Sequence, residues 1–302
     1  MQVRKLEFLL AEALAQRCDC VVTIGGVQSN HARATAVAAR LLGLDAHLIL
    51  RTSAADVDRD PGMTGNLLVE RAAGATLHMV SRAEYTRVGS AALLAALGAQ
   101  LRAEGRKPYL IPVGGSTPLG TWGYLECMRE VAAEQQRFDH IVVTCGSGGT
   151  AAGTALGAHL AGLGARVTAF GVCDDPDYFY DHADALLRDM GATAGGLDAR
   201  SIMRVVQARG AGYAISTDAE LDVIASTALA TGVLLDPVYA GKALCGLLAD
   251  MRASPDAYAN SKVLFIQTGG LFGAFDKADA LRDALARAAP GRVQRMRVDA
   301  PP

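Results

Sequence analysis

Short runs of aliphatic and β-branched residues, each closed by a turn and followed by a helix-length segment, recur along this chain and restrict its fold more than any other feature. "CVVTIGG" leads into "NHARATAVAARLLGL", and "AHLILRT" is followed by a polar loop, "GNLLVERAAGA" and "TLHMVS". "KPYLIPVGG" precedes "GTWGYLECMREVAAEQQ". The second half repeats the habit with "HIVVTCGSGG", "VTAFGVCDD", "GVLLDPVYAG" and "KVLFIQTGG". Strand-like runs separated by helix-length segments predict an α/β fold, parallel sheets covered by helices on both faces. Two such series, divided by a charged helix around 125–137, predict two αβα units, which 302 residues suffice to build.

The first residues already belong to a helix. Leu6, Leu9, Leu10, Ala13 and Leu14 fall at i, i+3, i+4, i+7 and i+8 and mark one apolar face, with no Ser, Thr, Asp or Asn ahead of it as a cap. Charge excludes some function classes. A net charge of −2 leaves no electrostatic footprint for nucleic acid, and Arg292, Arg295 and Arg297 at the C-terminal end read as a solvated tail. The most apolar stretch, "TAAGTALGAHLAGLGARVTAFGVC", is broken by His159 and Arg166 and falls short of the roughly 20 apolar residues that cross a membrane. Six cysteines without a CxxC pair, and six scattered histidines, predict no metal site; the thiols read as small buried residues in a reducing compartment.

Open parallel sheets bind ligands beyond the carboxyl ends of their strands, so the loops after the strands are the candidate sites. In "VVTCGSGGTAAG", Gly146, Gly148 and Gly149 allow backbone amides to approach an anion at a helix N-terminus, with Ser147 and Thr150 as hydroxyl donors. The loop lacks the lysine of a nucleoside-triphosphate loop. It fits a loose GxGxxA dinucleotide pattern through Gly146, Gly148 and Ala151, with Asp174 and Asp175 after the next strand, so a nicotinamide-dependent dehydrogenase stays open at this point. In "TIGGVQSNHARAT", Gln28, Ser29, Asn30 and His31 place four polar side chains at one strand-to-helix corner, more than a helix cap requires. Tyr239 in "LLDPVYAGKAL" and Thr268 in "FIQTGG" bring hydroxyls to the same sheet edge.

These segments, in this order, resemble the D-cysteine desulfhydrase and 1-aminocyclopropane-1-carboxylate deaminase family of pyridoxal-phosphate enzymes. The resemblance runs over nearly the whole chain through "RKLEFLLAEAL", "GGVQSNHARATA", "GNLLVERAAGA", "PYLIPVGGSTPLGTWGYLE", "GSGGTAAG", "LLDPVYAGKA" and "QTGG". It implies the tryptophan-synthase-β-like architecture, fold type II, with a small αβα domain at 8–127. A large cofactor-binding domain would comprise 1–7 and 128–302, incomplete at its N-terminus. It implies that Gly146, Ser147, Gly148, Gly149 and Thr150 hold the phosphate of pyridoxal 5′-phosphate with help from Lys5. Asn30 would bond the ring's 3′ oxygen, and Thr268 would lie near the pyridine nitrogen. Ser29 would act as nucleophile or proton-handling hydroxyl, Tyr213 and Tyr239 would flank the substrate and tune proton transfer, and Gln28, Ser29 and His31 would bind it.

In the family the first helix follows "GGNK", whose lysine forms the Schiff base with the cofactor. Aligned on "VRKLEFL", that position is Gln2, whose amide cannot condense with an aldehyde. The expectation is therefore a chain missing its upstream segment, together with any targeting signal that segment carried. The alternative is a non-catalytic homologue that binds the cofactor or an amino acid without turnover. Ala240 stands where the deaminases carry Glu, and Thr268 where they carry Leu; both differences favour D-cysteine conversion to pyruvate, hydrogen sulfide and ammonia over ring opening of aminocyclopropane carboxylate. The expected partners are a small amino acid and a second copy of the chain, with neither nucleic acid nor membrane, in the cytoplasm or an organelle.

Overall fold

The computed structural model describes residues 2–290 and Met296; Arg292, Arg295 and Arg297 lie outside the described residues. The first half runs α1 (Gln2–Ala15), β1 (Cys20–Gly26), α2 (Asn30–Leu41), β2 (Asp45–Thr52), α3 (Asn66–Ala72), β3 (Thr76–Ser81), α4 (Arg82–Val88), α5 (Ser90–Ala103), β4 (Pro108–Ile111) and α6 (Pro118–Ala133). The second half runs β5 (His140–Cys145), α7 (Gly149–Leu160), β6 (Arg166–Gly171), α8 (Pro176–Asp189), α9 (Ala199–Ile202) and β7 (Met203–Gln207). It continues through α10 (Asp218–Thr231), α11 (Ala240–Ala253), α12 (Pro255–Tyr258), β8 (Val263–Ile266), α13 (Leu271–Phe275) and α14 (Ala278–Ala288).

The strands form two four-stranded parallel sheets, ordered β3-β2-β1-β4 and β7-β6-β5-β8. In each sheet the chain winds outward from the first strand and then returns to pair on that strand's other side. In parallel sheets wound this way the ligand crevice lies beyond the carboxyl ends of the two strands at which the winding reverses. The loops after β1, β4, β5 and β8 therefore face that crevice, and three of them are the glycine and polar loops singled out from the sequence. Central strands are buried on both faces, as parallel sheets require: β5 is buried at every residue and β1 through Ile24.

α1 lies across the first sheet with Leu6, Leu9, Leu10 and Ala13 in its core cluster, and it also packs on α6. Each of those leucines contributes about 1.5–3 kcal/mol by leaving water. The contact with α6 is made at backbone distance, since a Cβ on Gly123 would stand 2.1 Å from the Arg4 carbonyl oxygen. The buried stripe also differs by one step from the expected face: Leu14 is 42% exposed, and Lys5 is buried in its stead.

Two other expectations are corrected. "GVLLDPVYAG" is not a strand; Pro237 has no N–H to donate to a ladder, and the Asp236 carboxylate takes the amides of Val238, Tyr239 and Ala240 into a turn that starts α11. The fourth strand of the second sheet is instead β7, "MRVVQ", an edge strand whose exposed Arg204 and Gln207 hid it among polar segments. Among the described residues no helix is long and apolar enough to cross a membrane.

Candidate active site

The glycine loop is built as a cradle. β5 ends at Cys145, Gly148 turns the chain at φ 87°, and α7 starts with an N-cap that has no side chain to hold its first amides. A Cβ at Gly148 would lie 2.4 Å from Cδ2 of His182, so the loop lies directly against α8. Free amides at a helix start, with the positive end of its dipole, form an anion site. The loop after β4 closes one side: the Ser116 hydroxyl accepts from the Gly149 amide at 3.1 Å and pairs with Ser147 Oγ at 2.8 Å.

Two basic nitrogens beside this cradle have no hydrogen-bond partner, Lys5 Nζ and His182 Nε2, and both atoms are buried. Burial pulls the Lys5 ammonium down to about 8. Burial also lowers His182, with the nearby Lys5 charge adding to the effect. A buried, unpaired amine costs folding free energy, so its position beside an uncapped helix start needs a compensating anion. A phosphate group supplies one, and the residues present fit pyridoxal 5′-phosphate on that ground.

At the polar corner after β1, the side chains are tied to one another. Ser29 caps α2, its Oγ accepting from the Ala32 amide at 3.1 Å. Asn30 Oδ1 accepts from Asn66 Nδ2 at 3.2 Å. Gln28 donates to the Thr64 carbonyl and accepts from the Asn66 amide, so it holds the loop before α3 in place. His31 is 4% exposed and sits under the corner with Nε2 at 2.9 Å from Thr23 Oγ1 and Nδ1 at 3.2 Å from the Gln2 amide. Because the Thr23 hydroxyl donates to the Ile111 carbonyl, Nε2 must carry the imidazole proton. Nδ1 is then an acceptor facing Gln2 Oε1, so the pair forms a hydrogen bond once the Gln2 amide is turned to present its NH₂. Burial, with Lys5 nearby, depresses His31 to about 3 and keeps it neutral. As folded, Gln28 and His31 shape the corner and do not project free polar groups from it.

The third group stands on the opposite wall. Tyr239 precedes α11, and a Cβ on Gly146 would meet its ring at 2.9 Å, which places the phenol against the glycine loop. Its hydroxyl lies 2.7 Å from that of Tyr213. Burial drives Tyr239 well above the ordinary tyrosine range, and Tyr213 is raised as well. The two hydroxyls share this hydrogen bond, and either can donate. Thr268 follows β8 at half-burial, and Gly270 beyond it packs on the Asp236 side chain, joining this loop to the Tyr239 turn. Ala240 is wholly buried and brings no polar group.

All the expected residues thus lie on loops or helix starts around one crevice. Three residues of the site escaped the sequence reading. Ser116 ends a glycine loop of the same kind as the others, a signal that was available. Asp236 was hidden by its placement in an assumed strand. His182 lies inside α8, and nothing in linear sequence marks it. Asp175, a candidate ribose ligand under the dehydrogenase reading, instead caps α8 by accepting from the Tyr178 amide.

The family model described as "Pyridoxal-phosphate dependent enzyme" matches residues 1–269. The chain is 53% identical, over 93% of its length and 71% of the relative's, to the bifunctional D-cysteine desulfhydrase/1-aminocyclopropane-1-carboxylate deaminase, mitochondrial, of Arabidopsis thaliana. It is 35% identical, over 89% of its length and 81% of the relative's, to a D-cysteine desulfhydrase of Serratia proteamaculans. Among solved structures, an ACC deaminase homologue superposes with a TM-score of 0.82 at 34% identity, covering 94% of this chain and 84% of that one. With the anion cradle, the unpaired amine and the paired phenols in place, the chain belongs to the D-cysteine desulfhydrase/1-aminocyclopropane-1-carboxylate deaminase family of pyridoxal-phosphate dependent enzymes.

Proposed function

We propose that the site is that of a D-cysteine desulfhydrase, converting D-cysteine to pyruvate, hydrogen sulfide and ammonia. The observation that carries the reading is the anion cradle with Lys5 unpaired beside it and two hydrogen-bonded phenols on its far wall. Gly146, Ser147, Gly148, Gly149 and Thr150 would hold the cofactor phosphate, with Lys5 supplying positive charge and the neutral His182 imidazole a hydrogen bond. Asn30 would bond the ring's 3′ oxygen and Thr268 would stand near the pyridine nitrogen. When bound, the cofactor withdraws electrons from the substrate's Cα. The proton work then falls to this chain: Ser29 would stand near the reacting carbon, and the hydrogen-bonded phenols of Tyr213 and Tyr239 would exchange a proton with the substrate. Gln28 and His31 keep the substrate end in shape. Ala240 and Thr268, where deaminases carry Glu and Leu, favour D-cysteine over aminocyclopropane carboxylate.

Gln2 stands at the position of the family's covalent lysine, and its amide is held by His31. The chain as given should therefore bind pyridoxal phosphate without covalent attachment and turn over D-cysteine weakly or not at all. Gln2→Lys supplies the amine at that position. Borohydride treatment of the cofactor-loaded variant should then leave the label on the peptide containing residue 2, and hydrogen sulfide release from D-cysteine should rise at least tenfold. Release of 2-oxobutyrate from aminocyclopropane carboxylate at a higher rate would favour the deaminase reading. Absence of cofactor binding in both chains would defeat the proposal. With the activity we propose a homodimer, which sedimentation would test. We also propose a cytoplasmic or organellar location, the Arabidopsis relative being named mitochondrial.

A further inference from the structure

Lys242 is one of the largest fully buried side chains in the molecule, and it takes no part in the site described above. Its Nζ donates to the Arg209 carbonyl at 3.0 Å, to the Ile215 carbonyl at 2.7 Å, and to both Glu220 carboxylate oxygens at 2.9 and 3.0 Å. Arg209 and Ile215 bracket Tyr213 in the loop between β7 and α10. Lys242 itself is three residues into the helix that Tyr239 precedes, one turn away. We propose that Lys242, locked on Glu220, is the positioning residue for Tyr213, gripping its loop from both sides and tying it to the helix that carries Tyr239.

The loop needs such a grip. Gly210, Gly212 and Ala214 have φ of 59°, 145° and 61°, so the segment follows no regular ladder. Its internal bonds amount to two short turns, Gly212 to Arg209 and Ile215 to Gly212. It lies directly on the ion pair: a Cβ at Gly210 would stand 2.3 Å from Glu220 Oε1 and 3.2 Å from Lys242 Nζ. Glu220 is fixed in turn, since Thr217 and Glu220 form a capping box at the start of α10. A buried ion pair is a weak source of stability, because an apolar pair of equal volume serves as well. An ammonium, however, can converge two carbonyls on one point, and apolar side chains cannot. The pair thereby sets the 2.7 Å separation of the two phenols.

The inference depends on the proposed function only for the catalytic meaning of Tyr213, and the test reads Tyr213 itself. Full-length chain labelled with carbon-13 at tyrosine Cζ is compared with Lys242→Met and with Lys242→Met/Glu220→Leu, in which no charge is left alone. Tyr213→Phe and Tyr239→Phe assign the two resonances. In the folded variants Tyr213 should titrate more readily than in wild type. Amide exchange across 209–216 should quicken tenfold or more while the two sheets keep their protection. Lys242→Arg, which can still reach both carbonyls, should restore part of both effects. Unchanged Tyr213 titration and exchange in a folded variant would overturn the proposal, and so would loss of protection throughout both sheets or failure of both variants to fold. If Tyr213 shifts as expected but Gln2→Lys remains inactive on D-cysteine, the functional reading alone fails.

Discussion

Replacing Lys5 by methionine should make the cofactor-free protein more stable at pH 7, by roughly 3 kcal/mol, while weakening its hold on phosphate. The sign follows from proton linkage. Lys5 has its pKa lowered from 10.5 in the open chain to about 8 when folded. Below pH 8 both states carry the proton and the full penalty of burying it is present; between 8 and 10.5 the unfolded chain binds one more proton than the folded one, so stability rises with pH. A shift of that size corresponds to roughly 3 kcal/mol. Wild type should thus gain stability on going from pH 7 to 10, and Lys5→Met should lack that gain. The variant's advantage should shrink by the same amount.

Phosphate binding reverses the balance, because the ammonium then has its partner. A charged hydrogen bond contributes about 1.5–3 kcal/mol, so Lys5→Met should bind inorganic phosphate and pyridoxal phosphate about 10- to 100-fold more weakly. Wild-type affinity should also fall as pH rises through about 8, as the amine loses its proton. Urea unfolding at pH 7 and 10, with calorimetric titration of both ligands, measures every part of this. A variant destabilised at pH 7 with undiminished phosphate affinity would mean that Lys5 is a packing residue.

Asp236→Ala should act in the opposite sense, destabilising the protein by about 3 kcal/mol or more. The Asp236 carboxylate accepts from the amides of Val238, Tyr239 and Ala240, and it is 1% exposed. Alanine leaves those three donors buried without partners, each costing about 1–3 kcal/mol before relaxation. Asp236→Asn keeps one oxygen to accept and should lose about a third as much. Burial outweighs these bonds and raises the Asp236 pKa, so the folded state favours the protonated acid. Stability from this group is therefore full at low pH and declines as pH rises through the raised value, a slope both variants should lack. The Tyr239 ring should also leave Gly146, moving the Tyr213 resonance as release of the Lys242 grip does. Denaturant titration from pH 4 to 8 checks the energies; equal stability of Asp236→Ala and wild type would remove Asp236 from the account.

How much was legible in linear sequence differed by element. β1, β2, β5 and β6 could be read because central strands buried on both faces are nearly continuously apolar, and the edge strands β3, β4 and β8 kept enough apolar residues to be read with them. β7 could not, because an edge strand tolerates Arg204 and Gln207 facing water. "GVLLDPVYAG" read wrongly because apolar content says that a segment is buried and not how its amides are satisfied; Asp236 satisfies them from a side chain. The glycine loop, the polar corner and the tyrosine turn were all visible as local patterns, and their order along the chain carried the family resemblance.

The sequence by itself determined the parallel α/β architecture and the anion-binding glycine turn, since both follow from short-range spacing and residue chemistry, while the class of cofactor came from the family resemblance that the order of the segments carries. Tertiary structure decided which groups are charged, paired or left alone. Lys5 on α1, His182 on α8 and the glycine turn meet only after two sheets and their helices have packed. Burial is a property of that packing, and burial sets the proton affinities of Lys5, His31 and Tyr239. It also turns Lys242, an unremarkable lysine after a glycine, into the group that holds Tyr213.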